Sequence, residues 1–324
     1  MKAHIKYFLL IILFLLKVKI SLANETIKIG LLAPFSGEFE YIGKSVIGST
    51  KMALEKIDNN NIYILPRDTK ADNLETIKKV EELYVEGVRI FIGPVFNKCL
   101  NGLEKYQDAI FLSLTNKILN NPKNVISAGI NANSQFKAIK KFQKKNDLEK
   151  TLVLIPKKDY KEEIEEAIKN SKLKSKKIFY YDTEPTKLTK QIEKITRYKI
   201  RKQNLADEIK RIENSEEENK EKKLEVLNKR DTLGKIGYDS IVIADFDESL
   251  KSVTTSLLYT DVSPKNVTFI SLNQWFDETL FKETASQPIN FPSVNKKNFD
   301  NFNKEYKEFY EEPPNQLSLI TYDL

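Results

Sequence analysis

The 324-residue chain is 40% hydrophobic and 31% charged, which supplies enough apolar side chain for packed cores and excludes disorder throughout. One His and one Cys exclude Ser-His-Asp and Cys-His catalysis in their usual forms, zinc sites built on several His or Cys, and, with Cys99 alone, an internal disulfide. The formal charge of +7 falls to +3 if Lys2, Lys6, Lys17 and Lys19 leave with a leader, so the basic balance does not point to nucleic acid.

Residues 1–23 read as a cleaved signal peptide. Met1–Lys6 is a positive start, Phe8–Leu16 is an apolar run well short of the ~20 residues that span a bilayer, and Ser21-Leu22-Ala23 is a small-x-small cleavage site. His4 leaves with this segment. No Cys lies near the cleavage site for lipid attachment, and no later apolar run is long enough to cross a membrane. The expectation is a soluble periplasmic protein without stable membrane insertion after cleavage.

A short apolar run at Ile27–Leu32, ended by Pro34 and Gly37, predicts a buried strand. A helix follows over Gly43–Ile57, then a strand at Ile62–Leu65. An amphipathic helix over Leu74–Val85 has Leu74, Ile77, Val80, Leu83 and Tyr84 on one face and Gly87 as its stop. Strands at Val88–Ile92, Ala109–Leu114 and Val125–Ile130 complete a first alternating block. The pattern restarts with a helix at Gln135–Lys145, a strand at Thr151–Ile155, a helix at Lys161–Lys169 and a strand at Lys177–Tyr181. Leu188–Lys229 differs: it is rich in Lys, Glu and Arg, lacks Gly and Pro, and predicts a solvated helical hairpin broken near Asn214-Ser215. Strand Asp239–Ala244, helix Leu250–Leu258, strand Val267–Leu272 and helix Phe299–Tyr310 follow. Leu317–Leu324 looks like the start of a further element, so the chain reads as a truncated or partial one.

Strands alternating with helices of this length imply parallel sheets, and two such blocks imply an α/β fold of two Rossmann-like lobes. The expected division places 26–131 and 277–324 in a first lobe, 132–276 in a second, and the helical insertion at 187–231. Trp275 is expected to pack at the junction. Ligands of open α/β sheets lie beyond the carboxyl ends of the strands, so two facing sheets would enclose a cleft.

The motifs for chemistry are weak. Gly37 to Ser45 (GEFEYIGKS) approaches a phosphate-binding loop but has five residues before Gly-Lys-Ser where that loop needs four. Neither a nucleophile elbow nor a dinucleotide fingerprint is present, so neither a catalytic residue, a cofactor nor a metal is expected. Strand-end residues are the candidates for ligand binding. Ser36, Ser113 and Thr115 suit a carboxylate, Asp182 or Asp245 suits an ammonium, and Tyr41, Phe96 or Tyr160 could cover an apolar group. Each Ser, Thr or Asp is equally suited to cap a helix.

The run Ile27 to Gly37 (IKIGLLAPFSG), with Tyr41-Ile42-Gly43 opening a helix, Val88 to Pro94 (VRIFIGP) and Ser113-Leu114-Thr115, resembles type I periplasmic binding proteins of the leucine-binding kind. Amino-acid receptors of that superfamily carry a Ser-Ser pair after the Gly-Pro turn, where this chain has Val95-Phe96-Asn97. They also carry Tyr-Gly after the first strand of the second lobe, where this chain has Asp159-Tyr160-Lys161. The turn Gly93-Pro94-Val95-Phe96, the stretch Leu65 to Thr69 (LPRDT), the charged helical segment and the closing Leu319–Asp323 are more similar to the penicillin-binding-protein activators. That resemblance implies a non-enzymatic regulator of cell-wall synthesis that docks on a peptidoglycan synthase. The alternative it implies is the substrate-binding component of an ABC importer, working with an ABC permease on a branched-chain or related amino acid.

Overall fold

The short apolar runs become two all-parallel, five-stranded sheets. The computed structural model describes residues 26–274 and 278–324, so the expected leader and Trp275 lie outside the described residues. Strands β1 (Ile27–Ala33), β2 (Ile62–Asp68), β3 (Ile90–Ile92), β4 (Ile110–Ser113) and β5 (Val125–Ser127) form the first sheet in the order β2-β1-β3-β4-β5. The second holds β6 (Thr151–Pro156), β7 (Lys177–Tyr181), β8 (Ser240–Ile243), β9 (Thr268–Ser271) and β10 (Ile289–Asn290) in the order β7-β6-β8-β9-β10. Counted from the first strand of each block, both sheets share one order. The fold is thus α/β with two Rossmann-like lobes.

Both faces of each sheet are covered, which explains why the strands read as continuous apolar runs. Successive side chains point to opposite faces. In β6, Leu152 and Leu154 enter one core with Ile241, Ile243 and Phe269, while Val153 and Ile155 enter the other with Phe136, Ile164 and Val242. In β1, Leu32 packs with Val80, Leu83, Phe91 and Phe111, and its neighbours Leu31 and Ala33 pack on the other side with Val46 and Leu114.

Helix α1 (Glu40–Ile57) follows β1, and α2 (Asn73–Val85) follows β2, capped by Asp72, which accepts the Glu75 N–H at 2.9 Å. Val80 and Leu83 of α2 are buried as expected, but Leu74 is 79% exposed: the helix has turned its first apolar residue outward before it reaches the sheet. Strand β2 runs three residues past its expected end, through Pro66. It lies at the sheet edge, where a missing N–H costs no ladder bond.

Helix α3 (Ala132–Lys145) leads into the second lobe, and α4 (Lys161–Ser171) follows β6. The expected hairpin is three helices: α5 (Pro185–Ile195), α6 (Tyr198–Glu213) and α7 (Lys220–Asn228). The first is not solvated. Leu188, Ile192 and Ile195 are buried in the main core of the second lobe, so α5 is the crossover helix of the fold and the insertion begins at α6. Arg197, in a left-handed conformation (φ 56°), makes the break between α5 and α6. Only α6 and α7 form the expected hairpin, broken between Glu213 and Lys220 and packed through Leu205, Ile212 and Leu227.

After α8 (Asp247–Tyr259) and β9, the chain stays with the second lobe longer than expected. Leu280, in α9 (Glu278–Phe281), and Ile289, in β10, lie in that lobe's core, which corrects the expected return at 277. The first lobe is rejoined by α10 (Lys296–Tyr310) and α11 (Gln316–Asp323), where Phe302, Tyr306 and Leu319 pack around Met52 of α1. Ser45 and Ser318 share a hydrogen bond of 2.5 Å across this contact. Among the described residues, no helix is long and apolar enough to cross a membrane.

Candidate functional site

The strand order reverses direction between β1 and β3 in the first sheet and between β6 and β8 in the second. Loops diverge at such points and leave a crevice beyond the carboxyl ends. The first crevice is edged by Pro34–Gly37 and Gly93–Phe96, the second by Lys157–Tyr160 and Asp245-Phe246. Gly93 adopts φ +99°, and a Cβ there would come within 2.2 Å of the Leu32 carbonyl oxygen, so the turn after β3 requires glycine. The two carboxyl ends meet. Glu163, on the first turn of α4 and only 9% exposed, accepts the N–H of Ile118 at 3.0 Å and of Leu119 at 3.1 Å from the loop that leaves β4.

Asp245 follows the fully buried strand β8, and its carboxylate therefore lands inside the protein, fully buried. Lys158 Nζ lies 3.0 Å from Oδ1, and the Tyr160 hydroxyl donates to the same oxygen at 2.8 Å. Tyr181 and Ser249 hydroxyls donate to Oδ2, each at 2.5 Å, and the Phe246 N–H donates to Oδ1 at 3.0 Å. A buried carboxylate is tolerated when one cation neutralises it and further donors fill its lone pairs, and both conditions hold here. Burial, reinforced by the Asp245 charge, raises both the Tyr160 and Tyr181 phenols well above their ordinary range, so both keep the proton that they donate to Asp245. The Tyr160 ring stacks on Phe246 with centroids 5.2 Å apart.

The candidates in the first lobe are also engaged within the chain. Ser113 donates to the Pro94 carbonyl at 2.9 Å and accepts the Thr115 N–H at 3.3 Å, while Thr115 Oγ1 accepts the Lys117 N–H at 3.2 Å. These bonds tie the loop after β4 to the Gly93-Pro94 turn. Phe96 packs on Phe39 with centroids 4.8 Å apart. Ser36 donates to Asp68 at 2.6 Å, and the N–H groups of Phe35 and Lys70 fill the same carboxylate at 2.8 and 2.9 Å. Burial pushes Asp68 up, but the hydrogen bonds from Ser36, Lys70 and Phe35 outweigh it and hold the carboxyl below the usual range.

Of the eight expected site residues, Tyr160 and Asp245 touch, and Ser113 and Thr115 share one turn beside the turn carrying Phe96. Ser36 lies on the other edge of the first crevice but is bonded to Asp68, and Tyr41 and Asp182 lie elsewhere. Tyr41 is 59% exposed on the first turn of α1. Asp182 accepts the Glu184 N–H at 3.1 Å and donates its own N–H to Gln191 at 2.9 Å, which shapes the entry to α5. Sequence reasoning did not single out Glu163, Lys158 or Tyr181. Glu163 looks like any acid on the first turn of a helix, and Lys158 like any loop lysine. Their significance comes from partners 45 and 87 positions away, and Tyr181 acts across 64. Among the described residues, no group of three or more His, Cys, Asp or Glu could hold a metal ion.

Residues 26–197 match the family described as periplasmic binding protein. The curated proteins contain no match. Among solved structures, the chain is similar to a branched chain amino acid ABC transporter periplasmic ligand-binding protein from Burkholderia xenovorans LB400, with a TM-score of 0.60 and 11% identity over 91% of this chain and 75% of that one. It is similar to the LpoA C-domain from Haemophilus influenzae, a regulator of PBP1A, with a TM-score of 0.58 and 14% identity over 91% of this chain and 83% of that one. An ABC transporter substrate-binding protein from Desulfitobacterium hafniense gives a TM-score of 0.55 and 12% identity over 92% of this chain and 81% of that one. At these identities the likeness is one of fold.

Proposed function

Because this chain belongs to the periplasmic binding protein family, we propose that it acts as a non-enzymatic regulator of the penicillin-binding-protein activator kind, through contact with a peptidoglycan synthase in the periplasm. One observation carries this reading: the buried carboxylate at the switch point of the second sheet is neutralised by the chain's own Lys158 and filled by Tyr160, Tyr181, Ser249 and the Phe246 N–H. An amino-acid ligand would have to displace that ammonium to be held there. On the facing lobe, the Ser113 hydroxyl, which would serve a ligand carboxylate, is spent on the Pro94 carbonyl, and the position after the Gly-Pro turn is the buried Val95. The fold likeness to the LpoA domain supports the same reading.

The fold likeness to the ABC transporter ligand-binding proteins favours a second reading, a receptor for a branched-chain or related amino acid. Calorimetry and thermal melting with the twenty amino acids separate the two. A ligand at a hundred times its Kd stabilises a protein by about 2.7 kcal/mol, an effect easily seen. The regulator reading expects no stabilising amino acid and saturable binding to a purified bifunctional peptidoglycan synthase. Micromolar binding of one amino acid, with no binding to the synthase, replaces it with the receptor reading.

A further inference from the structure

The amino edge of the second sheet, opposite the cleft, holds a site of different character. Lys150, Asp239 and Val267 immediately precede β6, β8 and β9. With the stretch that leaves the helical insertion and the segment after α8, they enclose a concavity of about 900 Å³. Its floor is apolar: Val262 and Val267 are buried, and Ile236 and Tyr238 half-buried. Its rim is cationic, with six Lys or Arg against three Asp.

Two of the six cations are already used. Arg201, 4% exposed, donates to the Thr196 carbonyl at 3.0 Å, to Thr232 Oγ1 at 2.8 Å and to the Thr260 carbonyl. Lys229 pairs with Glu225 at 2.6 Å. The other four, Lys150, Arg230, Lys235 and Lys265, are exposed and make no ion pair or side-chain hydrogen bond among the described residues. Of the three acids, Asp261 lies 4.0 Å from the buried Arg201, which leaves Asp239 and Asp231 against the four exposed cations. Asp239 accepts the N–H groups of Glu149 and Lys150 at 2.9 and 2.8 Å, and Asp261 accepts Thr232 Oγ1 at 2.5 Å. The concavity is therefore a local excess of positive charge contributed by separate stretches of chain.

We propose that this concavity docks an acidic peptide segment of a protein partner, with carboxylates on Lys150, Arg230, Lys235 and Lys265 and an apolar side chain against Ile236, Val262 and Tyr238. The volume is in the range of pockets that bury a sizeable organic ligand, far more than a lone phosphate or carboxylate needs. Its hollow shape turns the charges toward a protruding chain and away from a flat lipid surface. Complementary charge steers such an encounter and makes it sensitive to salt. The inference rests on the regulator reading for the presence of a protein partner, while the chemistry of the site rests on the residues alone.

The test uses the chain from residue 24 onward, a fluorescein-labelled peptide rich in Glu and Leu, its Gln counterpart, and phosphatidylglycerol vesicles. The acidic peptide is expected to bind in anisotropy titrations and the Gln counterpart not to. Combining Lys150→Glu, Lys235→Glu and Lys265→Glu should weaken binding at least tenfold. A control carrying Lys51→Glu, Lys137→Glu and Lys141→Glu has the same net charge and should change binding less than about twofold. Should the reversals disturb folding, the corresponding alanine variants, checked by melting, carry the same comparison. Equal weakening in both sets, no weakening in either, no peptide binding, or vesicle binding through these lysines without peptide binding each overturns the proposal. A synthase that binds wild type and the Lys150, Lys235, Lys265 variant equally removes this surface and leaves the regulator reading standing. Peptide binding that depends on these lysines, without any synthase binding, does the reverse.

Discussion

The two ends of the second sheet treat charge in opposite ways. At the carboxyl end, Asp245 is buried and every approach to it is taken by the chain itself, with Lys158 as counter-ion. At the amino end, Arg201 is buried and equally consumed, but around it stand four exposed cations with no ion pair among the described residues. The contrast bears on how sites are read from a fold. A buried ionised residue at the expected ligand position is open to a ligand only if its own neighbours leave lone pairs or charge unmatched. Asp245 fails that condition, so its position in the cleft speaks for structure. The rim cations of the opposite concavity are exposed and make no ion pair among the described residues, so charge open to a partner lies at the far edge of the lobe.

The strongest way to break this comparison is Asp245→Ala. It strands the Lys158 ammonium and the Tyr160 and Tyr181 hydroxyls, and removal of one partner from a buried charge pair costs about 3–5 kcal/mol. Urea unfolding of the variant, followed by circular dichroism, should show that loss; a loss under about 1 kcal/mol would mean that the carboxylate is not closed off as described. Next is Arg201→Ala at the other end. Four acceptors lose their donor, but water can reach the vacated edge, so about 2–3 kcal/mol is expected. Hydrogen exchange locates it: protection should fall in α6 and α7, which Arg201 ties to the end of α8, and stay unchanged in β6 and β8.

The sequence already contains the framework of this comparison. Strand β7 lies where the run Lys177–Tyr181 places it, and Asp245 is legible as a residue just past a buried strand. What pairs with it is not. Lys158 stands 87 positions away, and no local pattern marks a loop lysine that folds inward. Strand β10 was missed because two residues after Pro288 make no run. Helix α5 was misread because its Lys-rich composition outweighed a stripe of only three core residues, Leu188, Ile192 and Ile195. The basic concavity was invisible for a related reason: its lysines come from separate stretches, and the charge of each segment alone is ordinary. Periodicity reports on faces of single elements, whereas both ends of this sheet are built from contacts between distant ones.

Glu163→Gln sharpens the picture of the cleft itself. The charged acceptor that joins α4 to the Ile118 and Leu119 N–H groups becomes a neutral one, weakening two charge-assisted bonds by about 1–2 kcal/mol in total. If this contact holds the carboxyl ends together, small-angle scattering should show a larger radius for the variant while circular dichroism stays unchanged. An unchanged radius would leave the approach of the lobes to other contacts.

The smallest expected effect separates a carboxylate neutralised by a cation from one held mainly by neutral donors. Asp68 ends β2 in the first lobe much as Asp245 follows β8 in the second, but its direct hydrogen bonds come from Ser36 and from the N–H groups of Phe35 and Lys70. Its folded-state pKa lies below the unfolded value of about 3.9, so folding favours its ionised form. The stabilisation is present above that unfolded value and is lost as pH falls through the folded one. Asp68→Asn keeps the side chain's shape and removes the charge, so the variant should be less stable than wild type by under about 1 kcal/mol at neutral pH. That difference should shrink below about pH 4, where the wild-type carboxyl also takes up its proton. Added salt should leave the difference largely intact, because hydrogen bonds from neutral donors are screened far less than an exposed ion pair. A difference that vanished at 0.5 M salt would mean that the Lys70 charge, not the turn around Ser36, holds the carboxylate.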